Sequence, residues 1–148
     1  MKHFKIEEFR CKDGSVTPEE AKVNLTALVD NVLDPTRERF GARIHVNSGY
    51  RTEGYNQKIG GAKGSQHCCK NGSAAADICA THEEYGCMAE WKAANQRIAK
   101  IIVELGKFDQ LILYPTFVHV SFKKAGGNRK EILRKSSAGY QKISSSEI

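Results

Sequence analysis

The sequence predicts an α+β fold, a short and mostly antiparallel sheet with helices packed on it, and three observations point there. Two segments carry apolar residues at helical spacing behind capping-box residues. Four short runs have strand character, and the stretches between them are glycine-rich or polar. No repeat and no linker divides the 148 residues, so one domain over 1–148 is expected, with one core and one site.

The first helix opens at Thr17-Pro18-Glu19-Glu20, with a cap residue, proline at the first helical position and glutamate at the third. Ala21, Leu25, Leu28, Val29 and Val32 then fall on one side, and Pro35 marks the expected stop. A second capping box, Thr81-His82-Glu83-Glu84, precedes Met88, Trp91, Ile98, Ile101, Ile102 and Leu105, with Gly106 as terminator. Trp91 belongs to the core by this spacing, while His3 and His82 read as bystanders.

Strands are expected at 43–47, 75–79, 110–114 and 117–122. The run Ile59-Gly60-Gly61-Ala62-Lys63-Gly64 is too flexible for either element and reads as a loop leading into Ser65-Gln66-His67. The end of the chain, 135–148, is polar and is expected to be a flexible tail.

Bulk composition narrows the class. Apolar residues make up 40% and charged residues 27%, and no apolar run reaches the roughly 20 residues of a membrane helix. The start, MKHFKIEEFRCKDG, lacks the apolar stretch of an export signal, so the protein is expected in the cytoplasm until it is released to its target. Five cysteines, an odd number with Cys68 and Cys69 adjacent, read as free thiols. They form no paired C-x2-4-C units, which argues against a zinc finger. The net charge of +6 suits a polyanion without naming one, and no interleaved aromatic pattern favours nucleic acid. No nucleic-acid partner is expected, and the protein is expected to be a monomer.

Alternation along Phe117-Val118-His119-Val120-Ser121-Phe122 puts His119 opposite the apolar residues of its strand. The same logic sends Asp77 to the face opposite Ala76 and Ile78, where a half-buried carboxylate needs a partner. His67, on the glycine-rich side, can supply a third ligand, and a His/Asp/His set with one open position suits catalytic zinc. Spacing alone leaves structural roles open for each of these residues.

The segments Ser48-Gly49-Tyr50-Arg51-Thr52, Gly60-Gly61-Ala62-Lys63, Ser65-Gln66-His67, Ala75-Ala76-Asp77-Ile78 and Phe117-Val118-His119-Val120-Ser121 stand in the order found in one family. Together with His3-Phe4-Lys5-Ile6-Glu7-Glu8-Phe9 and Phe108-Asp109-Gln110-Leu111-Ile112, they make the chain resemble the zinc D-alanyl-D-alanine carboxypeptidases over about residues 2–134. These enzymes share a fold with the hedgehog signalling domain. The resemblance implies one zinc ion held by His67, Asp77 and His119, with Arg51 in the substrate cleft and Ser65 fixing a ligand through its hydroxyl. It also implies a peptidase acting on peptidoglycan stem peptides, as a carboxypeptidase or as an endolysin-type endopeptidase.

Two departures stand out. The spacing from His67 to Asp77 is longer than the family usually has, with Cys68, Cys69, Lys70, Asn71 and Gly72 in the enlarged loop. Many members carry an acid as general base where this chain has Thr116, and Asp109, His45 and Tyr114 are the polar residues nearest in sequence terms. A zinc-stabilised module that binds wall peptides without cutting them is therefore the alternative reading.

Overall fold

The computed structural model describes residues 1–148. It contains helices α1 (Glu19–Leu28), α2 (Asp34–Phe40), α3 (Glu53–Lys58) and α4 (Met88–Leu105). Its strands are β1 (Ile44–Ser48), β2 (Ser73–Ala80), β3 (Gln110–Leu113), β4 (Val118–Lys123), β5 (Glu131–Ser136) and β6 (Gly139–Lys142). They form one sheet in the order β1-β2-β4-β3-β5-β6. Every pairing is antiparallel except β3 with β5, which agrees with the predicted α+β class. No helix is long and apolar enough to cross a membrane.

Alternation decides which face each residue serves. Ala74, Ala76, Ile78 and Ala80 of β2, Leu111 and Leu113 of β3, and Val118 and Val120 of β4 enter the core with Leu25 and Leu28 of α1 and Ile98 and Ile102 of α4. The intervening residues Asp77, Ile112 and His119 are left to the opposite face, where they line a cleft. Small alanines along β2 let the helices approach closely. Trp91 closes this layer by donating its indole N–H to the Ala80 carbonyl at 2.8 Å, and His82 lies edge-on against the indole.

The helices differ from expectation at their ends. Thr17 makes no capping bond, and α1 begins at Glu19. Pro35 does not stop the segment: helical backbone continues through a π-type turn over Val29–Leu33, the Asp34 N–H bonds to the Val29 carbonyl, and the proline sits in the first turn of α2. The chain stops instead at Gly41, whose φ of 77° is left-handed. The box at Thr81 opens only a 3-10 turn over His82–Glu84: Thr81 makes no capping bond, the Glu84 carboxylate that would complete the box accepts from the Arg43 guanidinium at 3.1 Å, and α4 starts at Met88.

The largest difference lies at the end of the chain. The expected flexible tail, 135–148, contains the turn and second strand of a hairpin, with Leu133 opposite Lys142 and Lys135 opposite Tyr140. Its first strand adds to β3 in parallel, with Ile112 opposite Leu133. Polar composition hid it, since β5 and β6 carry Arg, Lys and Gln on surfaces that are only partly covered. Asp109 anchors the approach: it is fully buried, and its carboxylate accepts from the Arg129 backbone N–H at 2.8 Å and from the Arg129 guanidinium at 2.9 Å.

Candidate metal centre

Asp77 and His119 lie directly opposite each other in the β2–β4 ladder, and Ser48 of β1 faces Asp77 from the other side. Register therefore places the carboxylate and one imidazole on the same row. His67 arrives from outside the sheet on a 3-10 turn, Gln66–Cys68, whose cap is the Ser65 hydroxyl accepting from the His67 N–H at 3.2 Å. A second tie comes from the Arg51 N–H, which donates to the His67 carbonyl at 2.8 Å.

Three donor atoms converge there. His67 Nε2 is 3.1 Å from Asp77 Oδ1 and 3.2 Å from His119 Nδ1, and His119 Nδ1 is 2.9 Å from Asp77 Oδ1. A tetrahedral zinc with bonds of about 2.0–2.1 Å has ligand-to-ligand edges of about 3.3 Å, so this triangle fits one face of its coordination sphere. The His67 tautomer supports the fit. Its Nδ1–H donates to the Gly49 carbonyl at 2.8 Å, and a carbonyl can only accept, so in the neutral ring Nε2 presents its lone pair to the other two. A buried cluster of lone pairs is one that a shared cation resolves. The three residues are together able to hold a metal ion.

The electrostatics agree. Burial alone would raise the Asp77 pKa, but the imidazoles of His119 and His67 beside it hold it well below the usual carboxylate range. Burial pushes His119 below the ordinary histidine value, the direction that leaves it neutral and able to ligate. The thiols beside His67 are different: burial lifts Cys69 to about 12, and its Sγ–H contacts the His67 carbonyl at 3.4 Å. Neither Cys68 nor Cys69 joins the donor triangle.

Around the triangle, Arg51 donates to Asp77 Oδ2 at 3.2 Å, to Ser48 Oγ at 3.1 Å and to Asn56 Oδ1 at 3.4 Å. It holds the carboxylate so that Oδ1 turns toward the histidines, and it also lines the cleft. Two glycines make the packing possible. A Cβ on Gly49 would lie 2.6 Å from the Phe9 backbone, and one on Gly61 would lie 1.9 Å from Asn56 Oδ1. The enlarged loop after His67 is absorbed by left-handed residues Cys69, Asn71 and Gly72, and the Asn24 amide of α1 pins it at the Cys69 carbonyl, 2.9 Å away.

The cleft holds about 890 Å³ and is lined by Arg51, Ser65, His67, Asp77 and His119 together with Tyr114, Lys123, Arg129 and Tyr140. Asp77 is the one carboxylate on its wall. Thr116 does not line it, Asp109 is enclosed by Arg129 and Gln66, and His45 faces a separate groove near Glu7 and Lys12. Of the sequence-nominated polar neighbours, Tyr114 alone reaches the cleft. Sequence reasoning missed the Gly49 carbonyl and Tyr140: a backbone acceptor has no side-chain signature, and Tyr140 lay in the supposed tail.

A family model described as Peptidase M15 matches residues 2–121. A search of curated proteins found no match.

Proposed function

Because the chain belongs to the M15 peptidases, the zinc D-alanyl-D-alanine carboxypeptidase family, we propose that it hydrolyses peptide bonds in peptidoglycan stem peptides with one zinc ion held by His67, Asp77 and His119. The observation that carries this reading is the donor triangle, with its His67 tautomer set by Gly49, opening onto a cleft large enough for a peptide. When bound, the zinc supplies Lewis-acid polarisation and a water acidic enough to attack near neutral pH.

The protein's own residues divide the remaining work. Asp77 and the two histidines fix the position of the ion, and Ser65 and Gly49 fix His67 in turn. Arg51, anchored by Asp77, Ser48 and Asn56, offers its fork to a substrate carboxylate or carbonyl at the cleft wall. Lys123 and Arg129 extend this positive lining toward the far end of the cleft, which suits the carboxylate-rich stem peptide. On this reading residues 1–148 act as one domain, since the β5–β6 hairpin contributes Leu133 and Tyr140 to the same cleft.

A wall-peptide binding module is the second reading, and the lack of a second carboxylate in the cleft favours it. One comparison separates the two. Zinc content and amino-group release from purified peptidoglycan are measured for the parent and for His119→Ala. The hydrolase reading expects about one zinc per parent chain and release that disappears with the metal in the variant. Zinc without release favours the module, and a parent that binds no zinc sinks both.

A further inference from the structure

The cleft leaves one polar constellation without an assignment. Ile112 lies opposite His119 in the β3–β4 ladder, and Tyr114 follows two residues on, about 7 Å along the strand direction and on the same face. Tyr114 is fixed there: its N–H donates to the Phe117 carbonyl at 3.0 Å, and its ring stacks on Phe117 with centroids 4.3 Å apart. The β5–β6 hairpin, which lies beyond the matched residues 2–121, brings Tyr140 edge-on against that ring. The two hydroxyl oxygens are 2.9 Å apart, and both side chains line the cleft.

Resting on the peptidase reading above, we propose that the paired hydroxyls of Tyr114 and Tyr140 form a hydrogen-bond donor for the oxygen of the scissile carbonyl, with Tyr114 touching the substrate and Tyr140 positioning it. Two hydroxyls carry two hydrogens, and the bond between them uses one, so one O–H of the pair remains to donate outward. Burial pushes the Tyr114 phenol above its ordinary range, which keeps it protonated and makes it a donor rather than a base. The Lys135 ammonium lies over the Tyr140 ring, 4.7 Å from its centre, and helps to hold it. A preorganised donor of this kind acts most strongly where charge develops on oxygen, and it stands on a wall that has no carboxylate beyond Asp77.

The test uses the zinc-loaded chain of residues 1–148 with Tyr114→Phe and Tyr140→Phe, which keep the rings and remove single oxygens. Amino-group release from purified peptidoglycan gives kcat and KM. Calorimetry gives affinity for a phosphinate analogue of D-alanyl-D-alanine, whose tetrahedral oxygens imitate the developing charge, and for N-acetyl-D-alanine, which has none. The expected result for Tyr114→Phe is a fall of about 100-fold in kcat and in phosphinate affinity, with KM and N-acetyl-D-alanine affinity within about threefold. Tyr140→Phe is expected to show the same pattern at about 10-fold, with zinc content unchanged in both. Phosphinate affinity and kcat at parent levels in either variant overturn the pairing. A uniform loss of affinity for both ligands overturns it as well, since that marks a packing role. A parent that neither releases amino groups nor binds the phosphinate removes the peptidase reading and this inference with it.

Discussion

Asp77 of β2 and His119 of β4 face each other across one rung of the sheet, with Oδ1 2.9 Å from Nδ1. The rung sets their separation by backbone hydrogen bonding, so the carboxylate and imidazole are held in place before any ion binds. Asp77→Asn keeps the shape but replaces an anionic oxygen with a neutral amide. Zinc affinity, measured by competition with a chromophoric chelator, is expected to fall at least 100-fold while the far-ultraviolet spectrum stays that of the parent. Retained affinity would remove Asp77 from the ligand set.

Metal and fold are linked through the same rung. A ligand that binds only the native state adds about 2.7 kcal/mol at 100 times its Kd. Chelator is therefore expected to lower the thermal midpoint of the parent by several degrees and to leave that of Asp77→Asn unchanged. An equal shift in both proteins would show that the stabilising ion sits elsewhere.

Gly49 joins packing to ligation. Its carbonyl accepts from His67, and a Cβ at this residue would press to 2.6 Å from the Phe9 backbone. Phe9 is fully buried and its carbonyl accepts from the Tyr50 N–H at 2.7 Å, so neither partner has room to give. Gly49→Ala is expected to lose about 1–3 kcal/mol in urea denaturation and roughly 10-fold or more in zinc affinity. A stability loss with unchanged zinc affinity would separate the packing role from the ligand-orienting one.

Asp109 makes the hairpin anchor sensitive to acid. Burial acts to raise its pKa, but hydrogen bonds from Arg129 and Gln66 bring it down from 3.8 to about 2. A depressed carboxylate stabilises the fold above its unfolded value and loses that contribution as pH falls through the folded value. The window is therefore about pH 4 down to 2, and the contribution is roughly 2 kcal/mol. Arg129→Gln is expected to be less stable than the parent at pH 6, with the gap closing by pH 2. A gap that stays constant across urea midpoints at pH 6, 4, 3 and 2 would contradict the linkage.

Much of this was legible in the residues themselves. Strand periodicity separated His119 from Val118 and Val120, and Asp77 from Ala76 and Ile78, because side-chain direction in a strand repeats every two residues whatever the strand pairs with. The ordered motifs pointed to the family, whereas the places at Gly49 and Gly61 where a Cβ does not fit emerged only from the structure. Helix ends were read less well. The boxes at Thr17 and Thr81 describe bonds that form only if the side chains have no better partner, and the Arg43 guanidinium takes Glu84 out of the box at Thr81.

By itself, then, the sequence determined the α+β class, the faces of the strands and the candidates for metal binding, all of which follow from local period and residue chemistry. Tertiary structure alone decided that Asp77 and His119 share a rung, that His67 is oriented by a backbone carbonyl 18 residues away in sequence, and that Tyr140 comes to rest beside Tyr114. Those relations depend on strand register, loop path and the parallel addition of β5 to β3, and such long-range pairings leave no periodic trace in the segments they join.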